Sequence, residues 1–231
     1  NGTGSHQYWQ LSLTNTPGGG SWITELEMYT CTAGSPATTA GKYGNALNFD
    51  STDDYVNIAY YNKLPVYNAT LPYSVSLWVK GASGQVDKRV FAEGSSTTNN
   101  TIFGFGTEWP GGGNKLDVYI RDNSGVAQMN HVQSTTAVFD GSWHHVVWAD
   151  IAGNAKLYID GMLDATNFNY TPGTLTLDRT CIGALMRAVP QYFFSGSIDE
   201  VRVYNRVLST AEIASLYAPK MKPNYEDIRF A

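Results

Sequence analysis

The chain has 231 residues with 23 Gly and 15 Tyr but only 15% charged side chains, a composition that suits short strands joined by tight turns in one large all-β domain. A net charge of −5 argues against nucleic acid or an anionic membrane as the main partner. No apolar run approaches the roughly 20 residues of a membrane-spanning helix, and no basic-then-apolar leader opens the sequence.

In chain order, residues 1–30 read as a β-hairpin: residues 8–13 and 22–29 alternate, and the turn cluster 15–20 separates them. Residues 31–218 carry the main domain. Residues 46–49 and 55–58 are short strands around the acidic turn 51–54. Residues 71–80 alternate, with Val75, Leu77 and Val79 on one face and Ser76, Trp78 and Lys80 on the other. Residues 90–92 and 101–105 follow, separated by a polar loop. The Gly-rich stretch 109–114 is a loop, residues 116–121 alternate again, and residues 122–125 turn. Strands are expected over 143–150, 155–160 and 174–182, with Asp160-Gly161 as a hairpin turn. This regular spacing indicates a sandwich or barrel.

The last core strand spans 196–204, and Glu200 to Tyr204 alternate. Ser209 and Glu212 then form a capping box, opening a short helix that carries Ile213, Leu216 and Tyr217 and that Pro219 stops. This helix is expected to plug one end of the core. Residues 219–231 read as a Pro-containing linker and the start of a following module, so the chain, which begins at Asn1, is expected to be a segment of a longer modular protein.

Three stretches carry a resemblance. GSIDEVRVYNRVLSTAEIASLY (196–217) resembles the closing motif of laminin-G-like, concanavalin A-like jelly-roll domains. ALNFDSTDDYVNI (46–58) is similar to the opening strand and turn of that family, and DGSWHHVVWADIAGNAKLYIDG (140–161) to its central hairpin. The resemblance covers about 41–217 and implies a two-sheet antiparallel jelly-roll sandwich with one short C-terminal helix. Residues 1–30 are similar to an edge of discoidin-like domains; the other reading is strands added to the jelly roll.

Some relatives of this fold are glycoside hydrolases, which need two carboxylates about 5–5.5 Å apart for retention; on this fold they lie on one strand as E-x-D-x-x-E or a close variant. No such string occurs. Glu25 and Glu27 share a strand face but fall outside the resemblance, and the adjacent Asp199 and Glu200 point to opposite faces. His144 and His145 belong to the family's W-H-H-V motif, and no G-x-S-x-G surrounds a serine. The expected chemistry is therefore non-catalytic.

The family frequently holds a structural Ca2+, and the matching motifs make Asp50, Asp53, Asp54 and Asp199 the implied ligands, since hard cations take several oxygens. The alternative is a polar turn whose carboxylates cap local N–H groups. For ligand binding, sugars ask for exposed rings with a few placed polar groups, and loops project them. Trp109 in its Gly-rich loop and Tyr192 in the loop 186–192 are the ring candidates, with Arg121, Arg187 and Gln191 as polar partners. Trp78, Trp143 and Trp148 fall in strands and read as core. Cys31 and Cys181 are either one disulfide or two buried thiols.

These readings give a lectin-like recognition module of an extracellular, cell-surface or virion protein, docking a glycan or glycosylated surface through loop aromatics. The alternative is a structural, adhesion or capsid-decoration module that binds protein neighbours or other copies.

Overall fold

Two antiparallel sheets enclose the core in a computed structural model that describes residues 35–59 and 64–219. The proposed hairpin at 1–30, Cys31, the tail beyond Pro219 and the Glu25/Glu27 pair lie outside the described residues. Fifteen strands and one helix are present among the described residues. They are β1 Ala37–Ala40, β2 Asn45–Asp50, β3 Val56–Ala59, β4 Tyr73–Lys80, β5 Arg89–Gly94, β6 Ile102–Thr107, β7 Lys115–Arg121, β8 Ala127–Ala137, β9 His144–Asp150, β10 Lys156–Ile159, β11 Met162–Leu163, β12 Arg179–Ile182, β13 Leu185–Met186, β14 Pro190–Gln191, β15 Ser195–Tyr204 and α1 Thr210–Tyr217.

One sheet has seven strands in the order β1-β2-β15-β4-β9-β10-β11. The other has six, β3-β12-β5-β6-β7-β8, and β13 pairs with β14 as a separate small hairpin. The long crossings between sheets give the jelly-roll sandwich that the strand spacing and the resemblance implied.

The alternation of the strands builds the core directly. Val75, Leu77 and Val79 from β4 and Val146 and Trp148 from β9 face Phe91, Phe103, Phe105, Val118 and Ile120 from the opposing sheet, all essentially sealed from solvent. Phe103 is the hub, with ring centroids 5.7 Å from Tyr73, 6.1 Å from Trp148 and 5.6 Å from Tyr67. Each such fully buried side chain contributes about 1.5–3 kcal/mol of burial.

Five expectations change. The helix does not plug an end of the core. α1 lies on the outward face of the seven-stranded sheet, where Ile213 packs with Val147, Tyr158, Tyr204 and Leu208. The second face of β4 is therefore covered as well: Trp78 is buried, stacking on Tyr217 at 5.7 Å. The capping box itself is present, Ser209 Oγ accepting from Glu212 N and the Glu212 carboxylate accepting from Ser209 N. The closing strand does not alternate unbroken either: its register against β4 shifts between Asp199 and Arg202, where Glu200 takes a φ of 51° in a bulge. The ladder of β12 begins only at Arg179, and residues 174–178 run beside it tied by single contacts such as Asp178 N to Gly94 O. Finally, β8, eleven residues long, has no counterpart among the expected strands. Trp143 precedes β9 rather than sitting in it and is only partly buried.

The Asp160-Gly161 turn is as expected. Both residues have positive φ, 52° and 79°, which matches the right-handed twist of the flanking strands.

Candidate functional site

The outward face of the six-stranded sheet carries the candidate constellation. In β7, Leu116, Val118 and Ile120 point into the core, so Asp117, Tyr119 and Arg121 are left together on the outside. Their neighbour β6 offers Gly104 and Gly106 on that face, and with no side chains there, groups from β5 and β7 reach one another across it. From β5 comes Arg89, whose side chain is 2% exposed. From β8 come His131 and Gln133.

A row of flat groups crosses the strands. Trp109, 43% exposed in the β6–β7 loop, has its ring centroid 5.7 Å from that of His131. His131 stacks on Tyr119 at 4.4 Å. The Arg89 guanidinium carbon lies 5.9 Å from the Tyr119 ring and 5.8 Å from the Tyr192 ring, and Arg187 covers Tyr192 at 5.6 Å. Arg121 lies over Tyr119 at 5.9 Å, while its Nε and Nη2 donate to the carbonyls of Asn100 and Asn99. Gln133 donates to the Trp109 carbonyl, fixing the loop against β8.

Electrostatics tie the row together. Asp117 is fully buried, and its Oδ1 lies 2.9 Å from His131 Nδ1 and 3.7 Å from Arg89 Nη1. Asp87 pairs with Arg89 Nη2; burial pushes its carboxyl up, against the pull of the Arg89 charge. Burial holds the Arg187 guanidinium below the usual arginine range, although Tyr192 opposes this, and the charges of Arg121 and Arg89 add to it. Its Nη1 lies 3.4 Å from Gln191 Oε1. Buried Nε and Nη1 of Arg89, Nε of Arg187 and Oδ2 of Asp117 have no hydrogen-bond partner. Each such group costs about 1–3 kcal/mol, so this face holds unmet hydrogen-bonding capacity.

The five expected ligand-binding residues, Trp109, Arg121, Arg187, Gln191 and Tyr192, are thus brought to one face. Missed in the sequence were Arg89, Asp117, Tyr119, His131 and Gln133, which join them through cross-strand register. The segment holding His131 is anchored from outside: Asp164 accepts from Thr135 N at 3.0 Å and Thr136 N at 3.0 Å, and these hydrogen bonds hold its carboxyl far below the usual range despite burial.

The acidic turn divides differently. Asp50, Asp53 and Asp54 each place a carboxylate oxygen within 4.8 Å of the others. Asp54 Oδ2 accepts from Asp50 N, and Asp50 Oδ1 accepts from Thr52 N. Asp199 is not among them. Ser195, not Asp199, pairs with Asp50 in the ladder, so Asp199 sits four residues farther along, about 13 Å away. There it accepts from Tyr43 N and Glu200 N. Among the described residues no Lys or Arg forms an ion pair with Asp50, Asp53 or Asp54. Burial first, then the Asp50 charge, raises the Asp54 carboxyl, which fits a cation-holding turn in sign and donor type.

Among the described residues no helix is long and apolar enough to cross a membrane. The sequence model described as the concanavalin A-like lectin/glucanases superfamily matches residues 50–214. No curated protein matches the chain. Among solved structures, domain 4 of AbnA, an extracellular family GH43 arabinanase of Geobacillus stearothermophilus, solved with arabinotriose, superposes with a TM-score of 0.58 at 23% identity over 80% of this chain and 82% of that one. The CBM40 domain of the Ruminococcus gnavus IT-sialidase superposes with a TM-score of 0.59 at 19% identity over 75% and 97%, and it has also been solved with sialyllactoses. At these identities the likeness is one of fold.

Proposed function

The chain belongs to the concanavalin A-like lectin/glucanase superfamily, and from that premise we propose that it is a non-catalytic carbohydrate-binding module that docks glycans on the outward face of the six-stranded sheet. The observation that carries this is the row Trp109–His131–Tyr119–Arg89–Tyr192–Arg187. Rings supply faces for the C–H side of a sugar, and carboxylate, amide and guanidinium groups beside them supply the few directional hydrogen bonds that select one sugar over another. The arabinotriose and sialyllactose complexes of proteins with this fold support the reading. Its natural setting in this proposal is extracellular or on a surface, where repeated copies multiply weak affinity.

A structural Ca2+ at Asp50, Asp53 and Asp54 belongs to the same proposal; the turn would be held by charge neutralisation. Screening the full chain on a broad glycan array, beside a Trp109→Ala variant, tests the function. Binding by the parent that falls in the variant supports it. Absence of binding to any glycan overturns it and leaves the alternative, a module that docks protein neighbours.

A further inference from the structure

The two ends of the row differ in charge. At the Trp109 end stand the Trp109, His131 and Tyr119 rings, and Glu108, next to Trp109 in the chain, accepts from Lys115 N. At the other end stand Arg89, Arg121 and Arg187; among the described residues Asp87 and Asp117 pair with Arg89, Asp117 is also held by His131, and Arg121 donates to backbone carbonyls. Arg187 forms no ion pair with a carboxylate among the described residues, and its buried Nε lacks a hydrogen-bond partner. Directly beneath, Arg89 is sealed by Tyr192, whose backbone carbonyl accepts from Arg89 N at 2.9 Å, and its buried Nε and Nη1 are likewise unpartnered. A local surplus of positive charge in a chain of net charge −5 is a built feature, and arginine's planar donors suit an oxyanion.

We infer that the Arg89–Tyr192–Arg187 end is an anion subsite that takes the carboxylate or sulfate ester of an acidic sugar and so fixes the direction of the bound chain. The inference rests on the glycan reading above and deepens it. Arg187, the less buried of the pair, meets the oxyanion; Arg89 adds the second positive charge from below; neutral sugar rings extend towards Trp109. Burial together with repulsion from Arg121 and Arg89 already disfavours the charged Arg187, and a bound anion relieves that repulsion.

Matched pairs of acidic and neutral oligosaccharides test it: oligouronates against their reduced neutral forms, sialyllactose against lactose, and a sulfated against an unsulfated disaccharide. Titration calorimetry should show the acidic member of at least one pair preferred about tenfold at low salt, on the order of 1.4 kcal/mol, with the preference shrinking as salt rises. Which pair shows it tells carboxylate from sulfate. Arg187→Gln should remove the preference and Arg187→Lys restore part of it, whereas Trp109→Ala should weaken acidic and neutral ligands by similar factors. Equal affinity within every pair, or a preference that survives Arg187→Gln in a folded variant, overturns the subsite while leaving the glycan reading standing. If no oligosaccharide binds, the glycan reading falls, and the subsite is judged alone by NMR of the arginine Nε–H signals with glucuronate or glucose. Shifts in the Arg89 and Arg187 signals with glucuronate alone support an anion subsite; no shift overturns it.

Discussion

His131 stacks on Tyr119 with ring centroids 4.4 Å apart and planes 15° from parallel, and its Nδ1 lies 2.9 Å from Asp117 Oδ1. The pair meets because β8 carries a bulge. Val118 and Ile120 of β7 face Val132 and Met129, so two residues, Asn130 and His131, stand against Tyr119, and His131 takes a φ of 53°. Bulges of this kind re-aim a side chain beside functional surfaces.

Trp109→Ala should lower glycan affinity by about tenfold, and Tyr119→Ala by at least as much, since each removes a ring from the binding row. Stability should separate the two. Trp109 is 43% exposed, so its loss should leave the melting temperature within about 2 °C, because surface changes are usually within about ±0.5 kcal/mol. Tyr119 packs against the buried cluster of Ala92, Ile102 and Leu185, and its removal should also destabilise. Calorimetric binding and thermal melting of both variants check this. Undiminished affinity in both would remove the row from the binding surface.

How far the site could be read in the sequence follows from what each residue's neighbours are. The alternation of residues 116–121 already puts Asp117, Tyr119 and Arg121 on one outward face, so three of the ten residues were available locally. Arg89 was not: it enters the row only through the β5-β6-β7 register and the side-chain-free Gly104 and Gly106 between. β8 was invisible because an edge strand with polar residues on both faces and repeated register shifts has no period of two. The helix, by contrast, was legible from Ser209 and Glu212, yet its placement was not, since covering the outward face of β4 depends on Trp78, Val147 and Tyr158 arriving there from three strands.

Glu93 gives a pH-dependent prediction. Its buried carboxylate accepts from Val66 N, Tyr67 N and Thr180 Oγ1, yet burial outweighs these hydrogen bonds and pushes it up to about 7. The folded state therefore holds a proton that the unfolded chain, near 4.5, has released. Its contribution is full below about 4.5 and is lost as pH rises through about 7. Glu93→Gln should flatten that part of the stability profile. It should also cost about 1–3 kcal/mol, because an amide N–H2 then faces backbone donors. Urea unfolding of both proteins between pH 4.5 and 8 measures this; parallel profiles would show that Glu93 does not titrate there.

Calcium should raise the melting temperature if the Asp50–Asp53–Asp54 turn binds it. At a hundredfold excess over the dissociation constant the gain is about 2.7 kcal/mol, or roughly 5–10 °C for a chain of this size. Asp54→Asn should abolish the response, and Asp199→Asn, lying apart from the cluster, should retain it. Binding should also release protons in mildly acidic buffer, since Asp54 is raised by burial and by the Asp50 charge. Identical melting curves with Ca2+ and with chelator would exclude a site there.

The helix makes the sharpest test of the fold. Ile213 is fully buried against Val147, Tyr158, Tyr204 and Leu208, and Tyr217 stacks on Trp78, so α1 is a lid for a second apolar layer rather than an ornament at the chain's end. Ile213→Ala should cost about 2–5 kcal/mol through lost burial and a cavity. Glu212→Gln acts more weakly: it breaks the capping box and the pair with Arg206, both partly exposed, at about 0.5–1 kcal/mol. Arg206 and Ser209 hold the Glu212 carboxyl down to about 2, so its contribution is present above about 4.5 and fades as pH falls through about 2. Because the lid covers the seven-stranded sheet and the binding row lies on the other one, Ile213→Ala should lower the denaturation midpoint while glycan affinity of the folded fraction is kept. An affinity loss matching that of Tyr119→Ala would mean instead that the two outward faces are coupled through the core.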